Sequence, residues 1–128
     1  MAAATLVDQN ITDGERVVKA LDKSGLQVQS AFWYYYPETD KWLLFIATPT
    51  VDEEGPTGTY SRVQRTLAKI SPEPALSLKD ISVVSPNHEL VQLLRTAIRT
   101  GPGTSHVRFS RNTINGVFIA DALLYRVQ

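Results

Sequence analysis

The chain alternates between segments with helical apolar spacing and segments with strand-like apolar runs. Apolar residues three and four positions apart predict three helices: one from a capping box at Thr12 and Glu15, one over residues 57–70, and one capped by Ser85. A start of the first helix near Thr5 would extend the same stripe, but it would place Gly14 inside the helix. Residues 1–10 are otherwise expected to form a flexible lead-in.

Two apolar runs separated by a short polar break predict a β-hairpin early in the chain. The runs cover residues 28–36 and 41–48, and Pro37-Glu38-Thr39-Asp40 lies between them. Seven of the eleven aromatic residues of the chain lie in a stretch of fourteen residues in this hairpin, from Phe32 to Phe45. Because both strands are apolar on both faces, we expect them at the centre of a sheet or covered on both sides.

A second hairpin is predicted near the end of the chain. Asn115-Gly116, a strong signal for a tight turn, lies between strand-like runs at residues 106–111 and 117–127. Ile81 to Val84 is a further short strand. Residues 49–59, which include Asp52-Glu53-Glu54, are expected to form a loop, with Pro56 in the first turn of the second helix.

The resulting element order is α-β-β-α-β-α-β-β, which predicts an α+β fold. We expect one domain over residues 1–128: an α/β sandwich with a mixed five-stranded sheet, two β-hairpins and helices on one or both faces. The helices between strands two and three, and between strands three and four, predict two parallel crossovers. Strand order is left open.

Composition narrows the class of protein. The 128-residue chain has no cysteine and no apolar run long enough to cross a membrane, and its first residues carry no basic segment typical of a secretory signal. We therefore expect a cytoplasmic protein, most naturally bacterial, that does not enter membranes. Net charge is zero, but residues 1–60 carry nine acids and four bases, and residues 61–128 carry the reverse.

The acidic segment is the one candidate for catalysis. Asp52, Glu53 and Glu54 could act with His106 in a small metal-dependent hydrolase or nuclease. The competing interpretation is a solvated segment that complements the dipole of the following helix. The two histidines, His88 and His106, form no recognised ligand pattern, so neither a metal site nor a cofactor is predicted.

Four arginines could form an anion-binding stripe if the third helix and the last hairpin are neighbours. They are Arg95, Arg99, Arg108 and Arg111. The sequence pI of 6.7 argues against nucleic acid as the partner.

The aromatic hairpin is the strongest candidate for a binding surface. Tyrosine and tryptophan are enriched in interface hot spots, and a short sheet cannot easily bury seven aromatic rings. The residues concerned are Trp33, Tyr34, Tyr35, Tyr36 and Trp42. The sequence thus favours a non-enzymatic protein-interaction or regulatory module that binds a protein partner or forms a homodimer through this hairpin. A small-ligand sensor is a further alternative, and it requires a pocket of roughly 300 Å³ or more.

Overall fold

Five strands form one mixed sheet at the centre of the molecule. The computed structural model describes residues 5–128. The helices are α1 (Asp8–Lys23), α2 (Thr50–Leu67) and α3 (Glu89–Ala97). The strands are β1 (Ser30–Tyr36), β2 (Lys41–Ala47), β3 (Ile81–Val84), β4 (Val107–Ile114) and β5 (Val117–Val127), and a short 3-10 turn covers Leu78–Asp80. The strand order is β3-β2-β1-β5-β4, in which only β2 and β3 are parallel.

Helix α1 begins earlier than the capping box predicts. It starts at Asp8, so the predicted cap at Thr12 is wrong and the alternative start is the better one. Of the predicted lead-in, residues 1–4 lie outside the described residues, whereas residues 8–10 are helical. Gly14 inside α1 has a packing reason, because a Cβ at this position would lie 2.7 Å from Trp33 Nε1 and still closer to the Tyr125 hydroxyl.

Helix α2 includes part of the segment predicted as a loop. Its first turn starts at Thr50, and the chain then kinks at Gly55, which adopts a φ of 79°. The helix resumes at Pro56, as predicted for a proline in a first turn. It ends at Leu67, three residues before the predicted end. Three apolar residues of α2 at helical spacing, Tyr60, Val63 and Leu67, pack into the core.

Helix α3, in contrast, begins later than predicted. His88 caps it, with Nδ1 accepting a hydrogen bond from the Leu90 backbone N–H at 3.1 Å. Ser85, the predicted cap, instead accepts from the Asn87 N–H and donates to Asp52. The helix ends at Ala97.

Both predicted hairpins are present. Strands β1 and β2 pair in continuous register from Ser30 opposite Ala47 to Tyr36 opposite Lys41. Between β4 and β5 the turn residues Asn115 and Gly116 have φ values of 48° and 81°, as a type I′ turn requires.

One of the two predicted parallel crossovers is wrong. Strands β2 and β3 are parallel neighbours, but β3 and β4 lie at opposite edges of the sheet and run in opposite directions. Strand β5 occupies the edge of β1 that β2 leaves free, and β4 follows as the outer strand of its hairpin. The segment containing α3 therefore connects the two edges of the sheet.

Helices cover both faces of the sheet and give it two apolar cores. Helices α1 and α2 pack on one face, the α1/α2 side, where the buried cluster includes Val17, Leu21, Trp33 and Leu44. Helix α3 packs on the other face, the α3 side. Its cluster includes Phe32, Phe45, Val91, Leu94 and Ile119. The molecule is thus an α+β protein of three layers. Within residues 5–128, none of the helices has the length and apolar character needed to cross a membrane.

A buried carboxylate connects a distant chain segment to α1. The Asp13 carboxylate accepts hydrogen bonds from Gln9, Arg16 and the Ala75 backbone N–H at 2.7–2.9 Å. The hydrogen bond from Gln9, together with those from Ala75 and Arg16, outweighs the effect of burial and lowers the pKa of Asp13 below its usual value. Its negative charge therefore holds the segment after α2 against α1.

Candidate functional site

Strand alternation divides the aromatic residues of β1 between the two faces of the sheet. Trp33 packs in the core of the α1/α2 side, whereas Phe32 and the half-buried Tyr34 and Tyr36 pack on the α3 side. The two sets therefore belong to different surfaces.

Trp33 is a core residue. Its side chain is 2% exposed, and Nε1 donates a 2.9 Å hydrogen bond to the Tyr125 hydroxyl, which in turn donates to the Ile11 carbonyl. Burial is the main reason that the pKa of Tyr125 lies far above its usual value. Trp33 is therefore not an exposed anchor for a partner.

Tyr35 and Trp42 form a contact on the α1/α2 side. Their ring centroids are 5.2 Å apart, and the Tyr35 hydroxyl donates a 2.6 Å hydrogen bond to Asp40. That hydrogen bond, with burial and the negative charge of Asp40, raises the pKa of Tyr35. The Arg108 guanidinium lies 5.7 Å from the centroid of the half-buried Trp42 ring. Tyr35 is thus a buried side chain that is hydrogen-bonded within the molecule, whereas Trp42 is partly exposed.

Tyr34 and Tyr36 line a groove on the α3 side, which we call the tyrosine groove. It has a volume of about 380 Å³, and its lining includes Tyr34, Tyr36, His88, Leu90, Leu93 and Val117. The two tyrosine rings meet edge to face, with centroids 5.0 Å apart. Burial is the main reason that the pKa of each hydroxyl is raised, so both are neutral hydrogen-bonding groups.

Helix α3 supplies the opposite wall of the groove, because it carries more apolar residues than those that pack against the sheet. Val91 and Leu94 are fully buried against the sheet, whereas Leu90 and Leu93 are only half-buried and line the groove. In the sequence, Leu93 lies beside a stripe formed by Val91, Leu94 and Ile98, which are three and four positions apart. A leucine outside the core-facing stripe is the sequence signal that could have revealed this wall.

The tip of the β4–β5 hairpin borders the groove with exposed apolar side chains. Val117 lines the groove and is 46% exposed, and Phe118 is 59% exposed. Ile119 at the next position is fully buried in the core of the α3 side, so Phe118 points away from that core. Successive strand residues point to opposite faces of a sheet, so Val117 borders the groove and Phe118 is exposed on the other face of the hairpin tip.

The acidic segment forms no cluster with a histidine. Asp52 accepts a hydrogen bond from Ser85, and Glu54 forms an ion pair with Arg62 at 3.0 Å. Glu53 is exposed in the first turn of α2, where acids complement the helix dipole. Among residues 5–128, no group of three or more acids and histidines could hold a metal ion.

His106, the histidine proposed to act with these acids, lies beside Glu15 instead. Its Nε2 is 2.7 Å from Glu15 Oε1. Burial raises the pKa of Glu15, but hydrogen bonds from His106 and Lys19 outweigh this effect and lower it overall. His88, the other histidine, uses Nδ1 to cap α3.

The four arginines of the predicted stripe lie in two separate parts of the chain. Arg95 lies on α3 and Arg99 follows it, whereas Arg108 and Arg111 lie on β4. Arg108 forms a bidentate pair with Asp121, with distances of 2.7 and 2.6 Å. Its charge is therefore largely compensated, which weakens it as an anion ligand.

The fold and groove define a class: a three-layer α+β protein with an apolar surface groove beside an exposed hairpin tip. Comparison of the chain with protein-family models, curated proteins and solved structures finds no match. Function is therefore inferred from the groove and the residues around it.

Proposed function

We propose that this protein is a non-enzymatic interaction module that self-associates through the tyrosine groove. The observation that supports this most directly is a groove with an apolar wall, bordered by the exposed Val117, in a chain that also exposes Phe118 at the same hairpin tip. One chain therefore carries both a site for an apolar side chain and an apolar side chain that lacks a site.

The proposed occupant of the groove is Phe118 from a second copy. In a twofold dimer the hairpin tip of each copy would lie over the groove of the other, so that Phe118 at that tip could enter the groove. The groove offers Tyr34 and Tyr36 as aromatic neighbours, and aromatic pairs gain energy beyond the burial of area. Net charge is zero, so two copies do not repel each other over long range.

The exposed areas imply a weak dimer. Full burial of a valine or phenylalanine side chain contributes about 1.5–3 kcal/mol, and these two are already about half-buried in the single chain. The four side chains of a dimer would thus contribute roughly 3–6 kcal/mol, which is comparable to the cost of association. We therefore expect a dimer that forms only at high protein concentration.

Sedimentation velocity from micromolar to millimolar protein tests this proposal. The wild-type sedimentation coefficient should rise with concentration, and Phe118→Ser and Leu93→Glu should each keep the protein monomeric. Val7→Ser is the matched control, because Val7 is 50% exposed and lies outside the groove. A wild-type monomer at millimolar concentration, or an equal loss of association in Val7→Ser, would contradict the proposal.

A small-ligand sensor is the second candidate, and the size of the groove favours it. A volume of about 380 Å³ lies at the lower end of the range for ligand pockets, and the tyrosine hydroxyls and Glu89 offer polar contacts. The fluorescent dye anilinonaphthalene sulfonate can separate the two candidates. A sensor predicts saturable dye binding that Leu93→Glu removes and Phe118→Ser retains, in a protein that stays monomeric.

The cytoplasmic location and bacterial origin remain part of the proposal. The absence of cysteine from the composition is compatible with a reducing compartment.

A further inference from the structure

A second groove lies on the α1/α2 side, between the C-terminal ends of α1 and α2. It has a volume of about 560 Å³, and four cations line it together with small apolar and hydroxyl side chains. The cations are Arg16, Lys19, Lys23 and Lys69, and we call this surface the basic groove. No carboxylate side chain of the described residues is part of its lining.

The cations converge because of helix spacing. Arg16, Lys19 and Lys23 are three and four residues apart, so they share one face of α1, and Lys69 follows the end of α2. A cation near the end of one helix is expected from the dipole alone. The dipole does not explain why cations from two helices line one concave surface.

Three of the four acids of α1 have partners outside the groove. Asp22 pairs with Arg126, and Glu15 contacts His106. Asp13 binds Gln9 and the Ala75 N–H as well as Arg16. Asp13 and Glu15 each also pair with one cation of the groove, so only part of the positive charge of the groove is compensated.

Two of the four cations carry uncompensated charge. Arg16 is paired with Asp13 and also donates to the Pro72 carbonyl, and Lys19 lies 3.4 Å from Glu15. Lys23 and Lys69 are exposed and form no ion pair with any residue from 5 to 128. They can therefore bind an anion without breaking an existing ion pair.

We propose that the basic groove binds a soluble small molecule that carries two or more phosphate groups. Several cations around one cavity match a ligand with several negative charges, and lysine is a common phosphate ligand. The hydroxyls of Ser24 and Thr66 donate to backbone carbonyls, so the ammonium groups are the main donors. Among residues 5–128, no aromatic ring lines the groove, so the phosphates, not a stacked base, are the recognised part.

Isothermal titration calorimetry with inorganic pyrophosphate at low salt tests this inference. The double variant Lys23→Gln/Lys69→Gln removes the two unpaired charges from exposed positions, so it should fold normally and bind pyrophosphate about tenfold more weakly or worse. Ala20→Glu places a carboxylate in the groove and should abolish binding. The matched control is Lys41→Gln/Lys79→Gln, which makes the same charge change at a cleft that Asp40 and Asp80 also line.

The control should bind pyrophosphate within about twofold of wild type, because Lys41 and Lys79 lie outside the basic groove and solvent screens their charges. Equal weakening in both double variants would show a general charge effect and would overturn the inference, as would the absence of pyrophosphate binding by the wild type. Sedimentation with phosphatidylcholine vesicles that contain phosphatidylserine addresses a membrane source of phosphate. Lysine-dependent vesicle binding without pyrophosphate binding would overturn the proposal of a soluble ligand.

Discussion

At the scale of single residues, the close approach of α1 to the sheet depends on Gly14. The Trp33 indole donates to the Tyr125 hydroxyl, and that hydroxyl donates to the Ile11 carbonyl of the same helix. The space that a Cβ would occupy at position 14 is filled by these two aromatic side chains. A glycine in a helix costs about 1 kcal/mol relative to alanine, so here tertiary packing outweighs helix propensity.

We predict that Gly14→Ala destabilises the protein by about 1–3 kcal/mol, because the added methyl group forces Trp33 and Tyr125 to move. Gly58→Ala in α2 is the matched control. A Cβ there would meet only Glu54, at 3.5 Å or more, so the gain in helix propensity should stabilise the protein by up to about 1 kcal/mol. Urea unfolding measures both free energies. A stabilising Gly14→Ala would show that the contact is not restrictive.

At the scale of elements, a β-bulge places a buried cation between β5 and α1. The register of β1 against β5 shifts between Ala31 and Phe32, and Arg126 lies beside this irregularity. Its guanidinium binds Asp22 of α1 at 2.8 Å and the backbone carbonyls of Val28 and Gly103. One side chain therefore connects the last strand with the first helix and two loops.

Asp22→Ala should destabilise the protein by about 2–4 kcal/mol, since it leaves the Arg126 charge buried without a counterion. The Asp22 side chain itself is 37% exposed, so its replacement alone would have a small effect. The effect is large because the Arg126 side chain, which would lose its counterion, is only 6% exposed. Thr12→Ala, also exposed on α1, should change the free energy of unfolding by no more than about 0.5 kcal/mol. Guanidinium chloride would screen charges, so urea is the suitable denaturant. Equal effects of the two variants would contradict the structural role of this ion pair.

At the scale of the whole molecule, two cores share one sheet. The core of the α1/α2 side and that of the α3 side contact opposite faces of the same strands. Ion pairs also join the acidic first half of the chain to the basic second half, as Asp22 with Arg126 shows. The charge asymmetry of the sequence is therefore partly compensated inside the folded molecule, and the layers should unfold together.

Leu94→Ala on the α3 side should lower the free energy of unfolding by about 2–5 kcal/mol, because Leu94 is fully buried. Both tryptophans belong to the α1/α2 side, so their fluorescence reports the opposite core. We expect the urea midpoints from tryptophan fluorescence and from far-ultraviolet circular dichroism to shift together. Leu21→Ala, which affects the α1/α2 side, should behave in the same way. A fluorescence midpoint that stays at the wild-type value in Leu94→Ala would show two independent cores.

The sequence predicts the candidate site only in part. Tyr34 and Tyr36 are recognisable because a short sheet cannot bury every aromatic ring, but their chain neighbours Trp33 and Tyr35 carry the same signal and are buried. The difference arises from the helices: α1 covers the face of Trp33, whereas α3 has only nine residues and leaves the groove open. The groove residues on α3 and the hairpin tip are distant in sequence, so no local pattern joins them.

The sequence by itself determined the order of the elements, both hairpins and the central position of the aromatic strands. These properties follow from apolar periodicity and from the turn chemistry of Asn115-Gly116, which act over a few neighbouring residues. Only the tertiary structure decided the helix limits, the placement of β4 at the far edge and the two grooves. Those depend on contacts between distant segments, such as Gly14 with Tyr125, whose packing energy exceeds the local preferences that a sequence pattern displays.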